Sequence, residues 1–213
     1  MDESRLNGFD AVAGIYDGLA RLVYGKSIRA AQLHFLHVIS PDAKVLILGG
    51  GTGWLLRELL VRNPGCSVWY VEASARMVAA TREKVTGESR VILIHGTEED
   101  VPAEVVFDVV ITNFFLDLFT LPSLLRVVKR LRKPLRAGGY WLAADFVDTG
   151  KFWQRGLLRV MFLFFRFAAR IESRELANWQ GALSMCGIKE TDVKYFYGGF
   201  IRSGVYRLER RLP

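Results

Sequence analysis

Cysteine and histidine are scarce in this chain, which removes several kinds of chemistry at the outset. The two cysteines, Cys66 and Cys186, form neither a CxxC pair nor a metal-ligand spacing. His34, His37 and His95 do not complete a zinc set with them. No metal site is expected, and two free, buried thiols fit a reducing, cytoplasmic setting. Long polar tracts are also missing. Half of the 213 residues (51%) are hydrophobic, so disorder is expected only at the extreme ends. The opening residues Met1–Ser4 are polar and acidic, unlike a secretory leader. Acidic side chains are outnumbered, 22 against 29 basic ones, for a net charge of +7. Such a surplus can attract nucleic acid, an anionic membrane or an acidic substrate. No aromatic-basic RNP pattern accompanies it, so no nucleic-acid partner is expected and a solvated surface is the simpler reading.

What is present is a rhythm of short apolar runs and amphipathic stretches. In the segment 9–39, Phe9, Val12, Ala13, Tyr16, Ala20 and Val23 recur at helical spacing until Gly25 breaks the run. A second helix carries Ile28, Ala31, Leu33, Phe35 and Leu36 and is closed by Pro41. Strands are then expected at 43–48, 67–72, 90–95, 107–113 and 140–146, with helices at 53–62, from Ser74 as cap to about Val85, and at 121–133. Strand and helix alternate through short connections, which predicts a mostly parallel sheet with helices on both faces. Residues 189–197 and 201–208 are joined too closely for a crossover and should form an antiparallel hairpin at the sheet edge. The fold expected is therefore α/β, a Rossmann-like three-layer sandwich with a seven-stranded sheet, in one domain spanning 1–213.

The first strand runs into Leu48-Gly49-Gly50-Gly51-Thr52-Gly53 and then a helix. Glycines there allow a tight turn and close approach of a ligand to the backbone and the helix N-terminus; a bare strand-to-helix turn would use them too. The spacing is GxGxG. The dinucleotide fingerprint GxGxxG would need a glycine at position 54, where this chain has Trp54. A nicotinamide oxidoreductase is thereby disfavoured. Glu72 ends the second strand about 20 residues after the turn, the distance at which a carboxylate reaches ribose hydroxyls.

Val45–Gly53, Tyr70–Met77, His95–Asp100, Phe107–Phe119 and Leu135–Phe146 resemble, in order and spacing, the motifs of class I S-adenosylmethionine-dependent methyltransferases. Phe9–Asp17 resembles the N-terminal segment of their quinone-methyltransferase-like branch. The resemblance implies S-adenosylmethionine as cofactor and methyl transfer to a small acceptor as reaction. It implies that Gly49, Gly50, Gly51, Thr52 and Gly53 border the amino-acid and ribose parts of the cofactor. Glu72 would accept from the ribose hydroxyls, Ala73 and Met77 would lie on the adenine, Thr97 and Glu98 would hold its edge, and Asn113 and Phe114 would line the pocket beneath the sulfonium. Two positions depart from the family: Ile47 stands where an acid is usual two residues before the first glycine, and Thr97 stands where Asp is usual. The alternative these departures leave open is a nonenzymatic S-adenosylmethionine-binding or membrane-associated interaction protein.

The catalytic candidates are Asp117, in the apolar stretch 114–119, and Tyr16. Helix capping and core packing are the plainer readings of each. The Phe-rich stretches 114–119 and 152–167 lead us to expect an apolar or aromatic acceptor. In the insertion 152–170, Arg155, Arg159, Arg166 and Arg170 fall within about 60° of one another at helical pitch, on an otherwise apolar surface. It reads as a lid over the acceptor, a homodimer interface, or a peripheral membrane contact; four arginines argue against a spanning helix. The basic run 126–136 reads as the wet face of a sheet-covering helix.

Overall fold

The computed structural model describes residues 26–159 and 176–209. The helix expected before Gly25, Tyr16 with it, and residues 160–170 of the insertion lie outside the described residues.

The elements in order are α1 Lys26–Leu33, β1 Lys44–Leu48, α2 Trp54–Arg62, β2 Ser67–Glu72, α3 Ala75–Lys84, β3 Val91–His95, β4 Phe107–Asn113, α4 Leu121–Arg132, β5 Leu135–Phe146, α5 at 152–159, α6 Trp179–Met185, β6 Ile188–Phe196 and β7 Ile201–Leu208. The strands form one seven-stranded sheet in the order β3-β2-β1-β4-β5-β7-β6. β1 to β5 are mutually parallel, and β7 runs antiparallel between β5 and β6. The expected Rossmann-like sheet, with its antiparallel C-terminal hairpin at one edge, is the observed one.

Central strands are apolar on both sides because both sides are covered. Val45 and Ile47 of β1 and Val109 and Ile111 of β4 pack toward Leu56 and Leu59 of α2, with Leu36 just beyond α1. Leu46, Leu48, Val110 and Trp141 face the opposite way, onto Leu124, Val128 and Leu131 of α4 and Trp179 of α6. The Trp141 indole is fully buried, and its N–H donates to Thr112 Oγ1 at 2.7 Å, so the core keeps the ring without orphaning its polar edge. On α4 the apolar stripe is buried while Arg126, Lys129 and Arg130 stay exposed, as the basic run predicted.

Two boundaries differ from expectation. The second N-terminal helix ends at Leu33, and a short 3₁₀ turn, Leu36–Val38, follows it. Phe35, at φ −103° and ψ 11°, leaves helical geometry at the junction. β5 begins at Leu135 instead of residue 140: Leu135 pairs with Phe107 and the register then shifts before Tyr140 meets Val109. Gly138, at φ +75°, lies at that irregularity, within the strand. Cys66 and Cys186 are free and buried, and burial raises both thiols above their ordinary pKa. No helix among the described residues is long and apolar enough to cross a membrane.

Candidate functional site

In open α/β sheets, ligands gather beyond the carboxyl ends of the strands, where the winding reverses. Here the reversal lies between β1 and β4. The turns after β1, β2, β3 and β4 all open on that edge, and they carry every described residue named from the sequence as a cofactor or catalytic candidate.

The turn after β1 is built by its surroundings. Gly49, Gly51 and Gly53 hold φ of +67°, +67° and +77°. A Cβ on Gly49 would lie 2.6 Å from the Phe115 ring, one on Gly50 2.2 Å from the Tyr70 ring, and one on Gly53 2.7 Å from Thr81. Those three glycines are demanded by the protein's own packing. Gly51 is different: nothing lies within 4 Å of where its Cβ would be. It is the point at which a ligand can approach the main chain. Tyr70 steadies it from below, its O–H donating to the Gly51 carbonyl at 2.6 Å while Thr81 Oγ1 donates to the same oxygen at 3.2 Å. Burial pushes the Tyr70 phenol well above its ordinary pKa, so it remains a donor.

Glu72, at the end of β2, is 6% exposed. Its Oε2 accepts the Gly51 N–H and its Oε1 the Ser74 N–H, both at 2.9 Å. The carboxylate thus joins the glycine turn to the start of α3. Ser74 caps α3 as expected, its Oγ accepting from Met77 N–H at 3.2 Å, which puts the Met77 side chain, with Ala73, on the first turn of the helix.

After β3, Thr97 opens a 3₁₀ turn, Glu98–Asp100, through a capping box: its side chain accepts from Glu99 N–H, and Asp100 Oδ2 accepts from Thr97 N–H at 2.8 Å. Arg130 of α4 clamps the turn by donating to the carbonyls of Glu98 at 2.7 Å and Glu99 at 2.5 Å. Nothing in the local sequence 95–100 announces a partner 30 residues away. His95 is exposed and donates from Nε2 to the Ala73 carbonyl at 3.0 Å.

After β4 the chain turns sharply. Asn113 Oδ1 accepts Ala144 N–H at 2.9 Å, which fixes the amide between β4 and β5. Phe114 holds φ +52°, rare for a bulky residue, and its N–H donates to the Ala144 carbonyl at 2.7 Å. Asp117 lies in the following 3₁₀ turn, Leu116–Leu118, and is only 3% exposed. Its main chain is held by Asp145, at the end of β5, which sequence reading overlooked. Asp145 Oδ2 accepts the N–H groups of Phe115, Leu116 and Asp117 at 3.3, 3.0 and 3.2 Å, and Oδ1 accepts Phe146 N–H at 2.9 Å. Burial pushes Asp117 up to about 7 and Asp145 well above the carboxylate range. An acid inside an apolar strand end was the available signal for Asp145.

Beside this turn stands a chain of rings: Phe114 on Phe146 (centroids 5.1 Å), Phe146 on Phe200 (5.0 Å), Phe200 on Trp153 (5.8 Å) and Trp153 on Tyr197 (5.6 Å). Trp153 belongs to α5, the start of the 152–170 insertion. Buried Gln154 holds Thr149 and reaches the Gly198 carbonyl, and Lys151 donates to that same oxygen at 2.8 Å. Arg155, one of the four stripe arginines, pairs with Asp148 at 3.2 Å. Among the described residues, no group of three or more His, Cys, Asp and Glu side chains could hold a metal ion.

A family model described as a methyltransferase domain matches residues 45–139, the stretch from β1 into β5 that contains all four turns. The chain is 29% identical over 138 residues to a malonyl-[acyl-carrier protein] O-methyltransferase of Priestia megaterium, covering 65% of this chain and 49% of that protein. It is 29% identical over 147 residues to the enzyme of the same name from Halalkalibacterium halodurans, covering 65% and 53%. The chain therefore spans about half the length of the curated relatives it matches. Among solved structures, the fold is similar to Burkholderia thailandensis 1,6-didemethyltoxoflavin-N1-methyltransferase, bound to 1,6-didemethyltoxoflavin and S-adenosylhomocysteine, with TM-score 0.72, 18% identity and coverage of 97% of this chain and 89% of that one. It is also similar to the S-adenosylhomocysteine-bound methyltransferase CalO1 of calicheamicin biosynthesis, with TM-score 0.64, 20% identity and coverage of 90% and 56%. The architecture is the α/β Rossmann-like methyltransferase fold, a seven-stranded mixed sheet with antiparallel C-terminal strands.

Proposed function

We propose that this protein is an S-adenosylmethionine-dependent methyltransferase whose cofactor lies across the turns after β1 to β4. The observation that carries the reading is Gly51. Its main chain, at φ +67°, is the uncrowded point of the glycine turn, and its N–H is tied to the acid that ends β2. S-adenosylmethionine supplies an electrophilic methyl group on a good sulfur leaving group, so the chain's own work is positioning and exclusion of water. Gly49, Gly50, Gly51, Thr52 and Gly53 border the amino-acid and ribose parts, and Glu72 accepts from the ribose hydroxyls. Ala73 and Met77 cover the adenine, and the Thr97–Glu98 turn, braced by Arg130, meets its edge. Asn113 and Phe114 close the floor beneath the sulfonium. Tyr16 and Asp117 stay proposals for the acceptor side.

For the acceptor, the linked rings Phe114, Phe146, Phe200 and Trp153 support an apolar or aromatic compound, with the insertion from 152 serving as its cover. A second reading is favoured by the names of the curated relatives: a carboxyl group presented on an acyl carrier protein. Calorimetric titration with S-adenosylhomocysteine tests the cofactor, and saturable binding is expected. A folded, ligand-free protein that does not bind it would return the chain to the interaction-protein reading. Incorporation of labelled methyl into a panel of phenolic and quinone-like compounds, set beside malonyl-carrier protein, then separates the two acceptor classes.

A further inference from the structure

Among the described residues, two that are not glycine hold a positive φ: Phe114 at +52° and Tyr197 at +49°. They stand at the two ends of the ring chain that runs from Phe114 through Phe146, Phe200 and Trp153 to Tyr197. Tyr197 opens the turn between β6 and β7, and Gly198 and Gly199 follow it at φ +63° and +92°. In that left-handed run the chain has glycine twice and tyrosine once. A bulky side chain is thus kept against the preference of its own backbone. The turn is held from the start of α5. Fully buried Gln154 accepts the Thr149 N–H at 3.1 Å and its hydroxyl at 2.6 Å. Its amide and the Lys151 ammonium donate to the Gly198 carbonyl at 3.4 and 2.8 Å. Val147 N–H donates to the Phe200 carbonyl at 3.0 Å, which ties the same turn to the end of β5 and so to the site edge of the sheet. Phe146 and Phe200 are buried, whereas Trp153 is 41% exposed and Tyr197 half-buried. The row of rings is packed at its inner members and open at its outer ones.

We propose that Tyr197 is a specificity-determining residue for the methyl acceptor, its ring forming the outer end of an aromatic wall that takes a planar, apolar ring compound. A tyrosine that served only to fill the core would be buried and its backbone relaxed, and Tyr197 is neither. Gln154 and Lys151 act through it, by fixing the turn that carries the ring. Phe114 is the cofactor end of the same wall. A malonyl group has no ring to set against this face, so the inference rests on the apolar-acceptor reading above.

The test is calorimetric titration of α-naphthol into the protein saturated with S-adenosylhomocysteine, for the parent, Tyr197→Gly and Tyr197→Phe, with urea denaturation of each. Tyr197→Gly should bind naphthol about tenfold more weakly, the scale of a lost ring contact. Its urea midpoint should stay at or above the parent's, since glycine relaxes the left-handed turn. Tyr197→Phe should restore the affinity, because the ring makes the face. Naphthol bound equally by the parent and Tyr197→Gly overturns the proposal and leaves the apolar-acceptor reading standing. A lower urea midpoint in Tyr197→Gly, with naphthol and S-adenosylhomocysteine weakened alike, makes Tyr197 a structural residue and also overturns it. A parent that binds S-adenosylhomocysteine but no naphthol overturns both the proposal and the apolar-acceptor reading. Naphthol binding that depends on Tyr197, in a protein that does not bind S-adenosylhomocysteine, counts against the cofactor reading and supports the wall.

Discussion

Gly51 and Gly87 share a left-handed backbone, at φ +67° and +79°, and open space where a Cβ would be. They differ in place, since Gly51 borders the cofactor turn and Gly87 ends α3's connection to β3. Alanine should cost each about 1–2 kcal/mol of stability by backbone strain alone. Only Gly51→Ala should also weaken S-adenosylhomocysteine binding, and equal affinities for the two variants in calorimetry would remove Gly51 from the site. Glu72 is the second residue to probe. Glu72→Ala should weaken cofactor binding by about 1.5–3 kcal/mol, the scale of a lost charged acceptor. The structure adds that it should also destabilise the free protein, because the Gly51 and Ser74 N–H groups lose their partner. Unchanged affinity in the folded variant would sink the ribose assignment. The buried Asp117 carboxyl carries a stability consequence as well. Burial raises the Asp117 carboxyl to about 7, so its contribution is complete below the ordinary carboxylate value and is lost as pH rises through about 7. The thermal midpoint of the parent should therefore fall from pH 5 to 8.5 relative to Asp117→Asn, and parallel curves would refute the linkage.

At the scale of elements, the strands and helices that position the site were legible because each carries its own signal. β1, β2 and β4 are apolar runs of strand length, α4 is amphipathic, and Ser74 stands where a cap belongs. The second N-terminal helix and the start of β5 were not, since Phe35's departure from helical geometry and the Gly138 irregularity depend on neighbours remote in sequence. The same holds for the clamp on the Glu98–Asp100 turn: capping was readable at Thr97, but the guanidinium of Arg130 comes from another element. Arg130→Ala removes charge-assisted hydrogen bonds to two carbonyls at an exposed position. Its effect on folding should be at most about 1 kcal/mol, whereas faster hydrogen exchange at 97–100 is expected. Exchange as slow as in the parent would show that the capping box holds the turn alone. The Asp117–Asp145 contact was hidden for a comparable reason, as 28 residues and a helix separate two acids that the sheet brings together.

Across the whole molecule, the sheet joins distant parts of the chain. α1 lies against β6 and β7, and Ser203 Oγ on β7 donates to the Ala31 carbonyl on α1 at 2.8 Å across 172 residues, with both residues buried. Ser203→Ala should cost about 1 kcal/mol in urea denaturation, and no loss would mean that the carbonyl finds another donor.

That arrangement has a consequence for synthesis. β6 leaves the ribosome before β7 yet lies outside it, and β5 has its open side filled only by β7. Until β7 emerges, β5 presents a long unpaired edge and the Ala31 carbonyl of α1 lacks its Ser203 donor. The nascent chain is thus exposed to edge-to-edge association from the emergence of β5 until β7 has been translated.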